Sequence, residues 1–241
     1  MDTLILYHHL GLGDHMMCHG LVRETCKHYP KVITFAKKHN IASVRFMFKD
    51  IRNLDIFEAD DAKAQKFIEE NPTMRVLPIG FRALDWSSDK PLDTQFYEMA
   101  GVPVEKKFSE FQVKRDPQRE LEFMDTLIGE NSDMKQLWGE YIFLHHDPER
   151  GMGIKLDRIV SDLPVFQPSP KYTDCIFDYC KIIEKASEVH VIDSSFFHMI
   201  DCMSQYKGRL DQKLVIHRYA RPQVSNSIEE PLRQKDWEIL V

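Results

Sequence analysis

The stretch GLGDHMMCHG, residues 11–20, contains the first group of side chains whose types and spacing suit chemistry. Gly11 and Gly13 allow a ligand to approach the backbone closely, and Asp14 stands where a helix is expected to begin. A carboxylate beside exposed amide donors can accept a proton as a general base, or it can simply cap the helix. The GxGD spacing matches neither the dinucleotide fingerprint GxGxxG nor a P-loop ending in GK[ST].

The stretch VIDSSFFHMID, residues 191–201, forms a second group. A predicted strand ends at Asp193 and leads through Ser194 and Ser195 into a helix that carries His198. Two hydroxyls beside the free amides of a helix N-terminus make a suitable binding site for a phosphate. The alternative is an ordinary Ser/Asp cap on a helix with an aromatic core face.

The loop HHDPERGMGIK, residues 145–155, follows a buried strand and forms the third group. Ligands of open α/β sheets bind at the carboxyl ends of strands. Arg150 and Lys155 are suited to neutralise a diphosphate, and the glycines between them allow the loop to fold over it. A solvated polar loop is the alternative.

Histidines raise the question of a metal. His15 and His19 have the i, i+4 spacing of a helical zinc site, but HMMCH lacks the glutamate of HExxH. His-His pairs at two strand ends, residues 8–9 and 145–146, keep a metal-dependent hydrolase open as an alternative. The acidic run at 58–61 resembles a strand-end metal motif, although a solvated helix cap also explains it. No GxSxG motif is present, and we expect no metal site.

Composition limits the class of protein. The chain has 241 residues, of which 43% are hydrophobic and 29% charged, so it is expected to be globular. A net charge of −6 argues against a nucleic-acid binder. The five cysteines include no CxxC pair and are expected to be free thiols. Neither a signal peptide nor an apolar run of about 20 residues is apparent, so we expect a soluble cytoplasmic protein.

Alternating apolar runs and amphipathic stretches predict βα units and a mainly parallel sheet. Continuous apolar runs such as TLILYHH and YIFLHH are typical of strands buried on both faces. Strands are also expected at SVRFMFKD and, as the last element of the chain, at KLVIHRYA. DHMMCHGLVRETCKHYP is expected to be a single helix. A boundary near residue 135 divides the sequence into two domains, 1–135 and 136–241.

GLGDHMMCHGLVRE and EVHVIDSSFFHMID together resemble the paired signatures of GT-B-fold glycosyltransferases, especially the heptosyltransferases, while fucosyltransferase-like enzymes have a similar early segment. This resemblance implies an α/β fold of two Rossmann-like domains facing across a cleft, the first on the acceptor side and the second binding a sugar nucleotide. Ser195 replaces the usual glycine of the late motif, and 241 residues is short for this fold.

Residue by residue, the resemblance gives Asp14 the role of general base. Gly11, Gly13 and His15 would lie on the acceptor side. The donor would be bound by basic and polar residues of the second half: Arg150, Lys155, Asp193, Ser194, Ser195 and His198. The implied reaction is inverting, metal-independent transfer of a sugar from a nucleotide-diphosphate sugar to a glycan or other hydroxyl acceptor, with no cofactor. A non-catalytic nucleotide- or glycan-binding module is the alternative.

Overall fold

The computed structural model describes residues 3–80, 84–85, 87–88, 90–130, 139–221 and 233–241. Its contacts divide the chain into two compact units. The first extends to Lys114 and includes Cys202–Ser204, and the second begins at Arg115. The boundary expected at residue 135 falls outside the described residues and stays a prediction.

The first unit is built on a parallel sheet. Its strands are β1 (Thr3–Tyr7), β2 (Lys31–Ala36), β3 (Leu54–Glu58) and β4 (Arg75–Pro78). Their order across the sheet is β3, β2, β1, β4. Its helices are α1 (Leu12–Met17), α2 (His19–His28), α3 (Ile41–Met47), α4 (Asp61–Glu70), α5 (Leu92–Ala100) and α6 (Lys106–Ser109). Because β2 and β4 flank β1 on opposite sides, the direction of strand addition reverses between β1 and β4.

Strand β1 is buried on both faces, as its continuous apolar run predicts. Ile5 and Tyr7 on one face join Ile33 and other residues in an apolar cluster. Leu4 and Leu6, which alternate with them, are completely buried as well. A sheet covered on both faces offers ligands its strand ends rather than its surface.

The expected single helix after β1 is interrupted at Cys18, so α1 and α2 are separate. The Tyr97 hydroxyl causes the break, because it donates to the Met17 carbonyl and accepts from the Leu21 amide, each at 3.1 Å. In one continuous helix, the Leu21 amide would instead donate to the Met17 carbonyl, four residues earlier. A side chain from α5 therefore shortens α1 to the segment that carries Asp14.

The prediction of a strand at SVRFMFKD, residues 43–50, is wrong, because this stretch forms most of helix α3. Apolar residues at alternate positions, Val44, Phe46 and Phe48, suggested a strand. Burial instead follows helical spacing, with Ser43, Val44, Met47 and Phe48 buried and Phe46 only half-buried. The alternation is a subset of a helical face, which a short window does not distinguish.

The second unit also has a parallel sheet. Its strands are β5 (Ile142–His145), β6 (Val165–Phe166), β7 (Glu188–Val191), β8 (Lys213–His217) and β9 (Glu238–Leu240). Their order is β6, β5, β7, β8, β9, so the direction of strand addition reverses between β5 and β7. Its helices are α7 (Pro117–Glu130), α8 (Cys180–Lys185) and α9 (Ser195–Cys202). The expectation that Lys213–His217 is the last strand is wrong, because β9 follows it.

Helix α7 begins where Asp116 caps it, its carboxylate accepting from the Arg119 amide at 3.1 Å. Ion pairs fix this helix within the second unit. Arg119 contacts Asp178 at 2.7 Å, and Arg115 binds both Glu120 and Glu184. These pairs are the physical reason that α7 groups with the second unit.

Candidate functional site

The first motif lies where the order of the first sheet reverses. β1 and β4 are adjacent and parallel, so the residues after Tyr7 and those after Pro78 meet at one edge. Gly80 has φ of 86°, and a Cβ at this position would lie 2.9 Å from His9 Nε2. Gly80 thus leaves the space that the His9 ring fills. Ligands of open α/β sheets bind at such reversal points, outside the carboxyl ends of the strands.

Asp14 occupies the third position of α1 rather than its N-cap, which is Gly11. The expectation that Asp14 is the N-cap residue is therefore wrong: the cap position is held by a glycine, and Asp14 lies in the first turn. Its Oδ1 lies 3.8 Å from His9 Nδ1, with the two side chains 22% and 31% exposed. Asp14 and His9 therefore form a carboxylate–imidazole pair that solvent can reach.

Gly11 is needed for space rather than for an unusual backbone angle. Its φ of −72° is open to any residue, but a Cβ here would lie 2.4 Å from Asp14 Oδ2. The missing side chain lets the carboxylate fold back over the first turn. Gly13 is half-buried in that turn, between Gly11 and Asp14. The early glycines thus set the position of the acid.

His15 and His19 point to different environments. The buried His15 ring meets His8 edge-on with 4.5 Å between ring centres. Burial, and then His8, hold the pKa of His15 well below its ordinary value. His19 stacks against Phe48 and Phe111. The helical zinc spacing therefore does not produce a shared site, and His15 lies in the interior rather than on an open surface.

The other two motifs meet at the reversal point of the second sheet. β5 and β7 are adjacent and parallel, so His145, the last residue of β5, and Ser194, just beyond β7, lie at the same edge of the sheet. Ser194 Oγ and His145 Nδ1 are hydrogen-bonded at 3.1 Å. Burial lowers the pKa of His145 to about 4, so this imidazole is neutral at pH 7. The Ser194 hydroxyl thus lies between the ends of β5 and β7 and is hydrogen-bonded to the neutral imidazole of His145.

Asp193 and His198 form a pair beside this hydroxyl. His198 Nε2 lies 3.2 Å from Asp193 Oδ1, and both side chains are almost completely buried. The Ser194 carbonyl accepts a hydrogen bond from the His198 amide at 3.1 Å, so helix α9 starts at Ser195. The first amides of this helix therefore lie beside the reversal point of the sheet. Arg221, which sequence reasoning missed, donates to the Asp193 carbonyl at 2.5 Å. Nothing local in the sequence connects residues 28 positions apart.

Arg150 and Lys155 occupy different parts of the loop after β5. Arg150 ends a 3₁₀ turn, its side chain is 72% exposed, and it pairs with Asp147 at 3.4 Å. The Lys155 amide donates to the Tyr219 hydroxyl at 3.0 Å, and Lys155 Nζ lies 5.7 Å from the centre of that ring. Tyr219 is a second residue that sequence reasoning missed. Lys155 is the better placed of the two predicted cations, because it is not paired with a carboxylate among the described residues.

The acidic run at 58–61 is explained by helix capping. Asp60 is the N-cap of α4 and accepts from the Lys63 amide at 2.9 Å. Asp61 pairs with Lys37 at 3.0 Å. Within the described ranges, no three His, Cys, Asp or Glu side chains are grouped as metal ligands would be. The helices described there include none that is both long and apolar enough to cross a bilayer.

Two parallel α/β sheets, each with predicted site residues at its reversal point, define a Rossmann-like α/β protein of the kind expected for GT-B enzymes. No protein-family model and no curated protein matches the sequence. In fold, the chain is similar to the crystal structure of a glycosyl transferase family 9 protein from Veillonella parvula, with a TM-score of 0.50 and 11% identity over 89% of this chain and 80% of that one. The expected resemblance is confirmed at the level of fold.

A second solved structure, the ADP-heptose LPS heptosyltransferase II of E. coli, is also similar. Its TM-score is 0.46, with 10% identity over 100% of this chain and 90% of that one.

Proposed function

We propose that this chain is a glycosyltransferase that moves a sugar, hexosyl or deoxyhexosyl, from a nucleotide-diphosphate sugar to a glycan or other hydroxyl acceptor. The reaction is inverting and independent of metal, needs no cofactor beyond the donor itself, and takes place in the cytoplasm. One observation carries the proposal. Asp14 and Ser194, named from separate motifs, each follow a strand at the reversal point of its own sheet, which is where α/β proteins bind nucleotides and sugars.

In the proposed reaction, Asp14 removes the proton from the acceptor hydroxyl while the acceptor oxygen attacks the anomeric carbon. The bond between that carbon and the diphosphate oxygen breaks, and its electron pair leaves with the diphosphate. Support comes from the exposure of the Asp14 carboxylate and from Gly11, which leaves room for it. Attack from the face opposite the leaving group inverts the anomeric configuration.

The departing diphosphate gains negative charge, which the second unit is suited to stabilise. The first amides of α9, at Ser195, and the Ser194 hydroxyl are hydrogen-bond donors beside the reversal point. Lys155 and Arg150 would add positive charge from the loop after β5. The Asp193–His198 pair holds the turn between β7 and α9 in place. Protein donors would then do what a metal does in other transferases.

A non-catalytic nucleotide- or glycan-binding module is the second candidate, since strand-end geometry serves binding with or without transfer. The experiment has two stages. The full chain is first screened by thermal shift against ADP, GDP, UDP and their sugar derivatives. A ligand present at 100 times its Kd stabilises the fold by about 2.7 kcal/mol, which is readily detected. No stabilisation by any of them would contradict the proposal.

The sugar nucleotide that binds is then incubated with a panel of glycans and alcohols, and products are identified by mass spectrometry and NMR. Transfer with an inverted anomeric centre, unchanged after treatment with a chelator, is the expected result. Binding without transfer or donor hydrolysis would favour the binding module. Loss of activity with chelator, together with stoichiometric metal in elemental analysis, would favour a metal-dependent enzyme instead.

A further inference from the structure

Three polar side chains share one face of the second sheet, and a fourth lies just beyond the end of strand β8. β7 and β8 are adjacent and parallel, and His190 lies opposite Val215. Because side chains alternate along strands, Glu188 and His190 project to the same face as His217, two residues beyond Val215. His217 is therefore a diagonal neighbour of His190, and Tyr219 follows two residues later. The alternation places Glu188, His190 and His217 in one row, and Tyr219 lies just beyond the end of β8, in the 3₁₀ turn Arg218–Ala220.

These side chains are connected by hydrogen bonds. Glu188 Oε2 lies 2.9 Å from His190 Nε2, and His190 Nδ1 lies 2.8 Å from His217 Nε2. His217 Nδ1 lies 3.0 Å from the Tyr219 hydroxyl. Both imidazoles are almost completely buried. The connected set Glu188, His190, His217 and Tyr219 is called the relay row below.

Only one arrangement of protons satisfies every bond of the relay row with an ionised Glu188 and neutral imidazoles. The carboxylate accepts, so His190 must donate from Nε2 and accept at Nδ1. His217 must then donate from Nε2 and accept at Nδ1. The Tyr219 hydroxyl donates to His217, which leaves its oxygen to accept from the Lys155 amide, as observed at 3.0 Å. The orientation of Tyr219 is thus set from Glu188, at the other end of the row.

The far end of the relay row holds two cations on one ring. Arg158 lies with its guanidinium carbon 4.4 Å from the Tyr219 ring centre, and Lys155 Nζ lies 5.7 Å from it. Arg158 also donates to the Val241 carbonyl at 3.0 Å. Among the described residues, no Asp or Glu side chain is within ion-pair distance of either cation; the oxygen that Arg158 contacts belongs to the main chain of Val241, the last residue of the printed sequence. Two like charges near one aromatic ring are favourably placed for an anion with more than one negative charge.

We propose that the relay row is a positioning device that holds Lys155 and Arg158 as a preformed diphosphate-binding arm. The inference rests on the proposed function, because it assigns the leaving diphosphate of the donor to this arm. It adds Arg158 as a binding residue and gives Glu188, His190 and His217 a role that acts through Tyr219. It also makes Lys155 and Arg158, rather than Arg150, which pairs with Asp147, the cations that meet the diphosphate.

Electrostatics agree with this proton arrangement. Burial, followed by His190, Arg158 and Lys213, lowers the pKa of His217 to about 4. Burial lowers the pKa of His190 too, although Glu188 acts against it; Lys213 and Glu238 also face this ring. Burial acts to raise the pKa of Glu188, but hydrogen bonds from His190 and Ser161 lower it overall. At pH 7 the row therefore contains an ionised carboxylate and two neutral imidazoles.

The packing of the loop supports the same role. Ile154, Ile159 and Leu163 from the loop after β5 pack against the apolar cluster that Tyr219 also contacts. The relay row thus touches this loop at Lys155 through Tyr219 and at Ser161 through Glu188. A loop anchored in this way needs little ordering when it binds its anion.

The first test needs no ligand. In the full-length chain at pH 7, ¹⁵N NMR of the histidine rings should show His190 and His217 neutral, each with its proton on Nε2. Amide hydrogen exchange should show Lys155 protected, and Tyr219→Phe should speed its exchange because the acceptor oxygen is removed. Tyr172→Phe is the matched control, a half-exposed tyrosine of the same unit that stacks on Phe166. A charged ring, a proton on Nδ1, or unchanged exchange in Tyr219→Phe would overturn the positioning role.

The second test uses inorganic pyrophosphate as the probe, with titration calorimetry at fixed ionic strength. Arg158→Gln and Tyr219→Phe should each weaken binding by about three- to tenfold, while Tyr172→Phe should not change it. Affinity unchanged in both variants overturns the proposed arm but leaves the glycosyltransferase proposal standing if sugar nucleotides still bind. Failure of the unmodified chain to bind pyrophosphate overturns the arm as well. Failure to bind any sugar nucleotide contradicts the proposed function separately.

Discussion

Ser194 Oγ lies 3.1 Å from His145 Nδ1, so a hydrogen bond joins two residues 49 positions apart, one at the end of β5 and the other just beyond the adjacent strand β7. This hydrogen bond spans the point where the second sheet reverses its strand order. The loop after β5 and the turn after β7 were named as separate candidates for the same phosphate. This contact at one sheet edge supports the proposal that both motifs serve one donor site.

Removing the Ser194 hydroxyl should weaken donor binding without unfolding the chain. Ser194→Ala deletes one hydrogen-bond donor at the reversal point, so we expect the Kd of the nucleoside diphosphate to rise about three- to tenfold. Titration calorimetry measures it. Ser187→Ala is the control, because Ser187 precedes β7 at its opposite end, where its hydroxyl accepts from Arg209. Equal effects in the two variants would contradict a donor site at Ser194.

Replacing Asp14 by Asn should abolish most transfer while leaving donor binding intact. The amide keeps the shape of the side chain but cannot accept the proton, so the rate should fall by roughly 10²–10⁴. Asp61→Asn is the matched control, an acid at the start of α4 beyond another strand of the same sheet, paired with Lys37. Steady-state transfer rates check both. If Asp14→Asn kept nearly full activity, Asp14 would not be the base.

Adding one methyl group at Gly11 should disturb the position of Asp14 rather than the fold. The new Cβ would lie 2.4 Å from Asp14 Oδ2, and the carboxylate can move away by rotating. We expect a transfer rate at least tenfold lower with little change in Tm. Gly129→Ala in α7 is the control, because its Cβ would meet no atom within 4 Å. A fully active Gly11→Ala would show that the close approach is unimportant.

Stability should decrease as the pH falls from about 6.5 towards 4. Burial lowers the pKa of several histidines below the ordinary value, among them His15, His19, His145 and His217. In this range the unfolded chain binds protons that the folded chain does not. The free energy of unfolding therefore decreases as the pH is lowered. Each such group adds up to about 1.4 kcal/mol per pH unit to the slope.

Urea denaturation at pH 7.5, 6.5, 5.5 and 5.0 measures this slope before most carboxylates titrate. His145→Asn should reduce it, because one buried imidazole is removed. His28→Gln is the control, since the His28 side chain is 67% exposed. A free energy of unfolding that stayed constant from pH 6.5 to 5.0 would contradict the prediction.

The sequence was informative wherever a local pattern had one structural meaning. TLILYHH and YIFLHH form the predicted buried strands, because continuous apolar runs of that length fit a sheet covered on both faces. Asp116 caps α7 and Pro117 occupies its first position, a pair of residue types typical of a helix start. SVRFMFKD was misassigned since its alternate apolar residues also belong to a helical face. The prediction of a single helix after β1 was wrong because the Tyr97 hydroxyl, about 80 residues away in sequence, interrupts that helix.

By itself, the sequence determined which residues follow strands, and therefore that Asp14, Lys155 and Ser194 lie beyond the carboxyl ends of sheet strands. Tertiary structure decided which strands are neighbours, and with them the partners of these residues: His9 beside Asp14, His145 beside Ser194, and Tyr219 beneath Lys155. The reason is physical. Strand periodicity is encoded within a few residues, whereas strand order depends on how distant apolar faces are buried together.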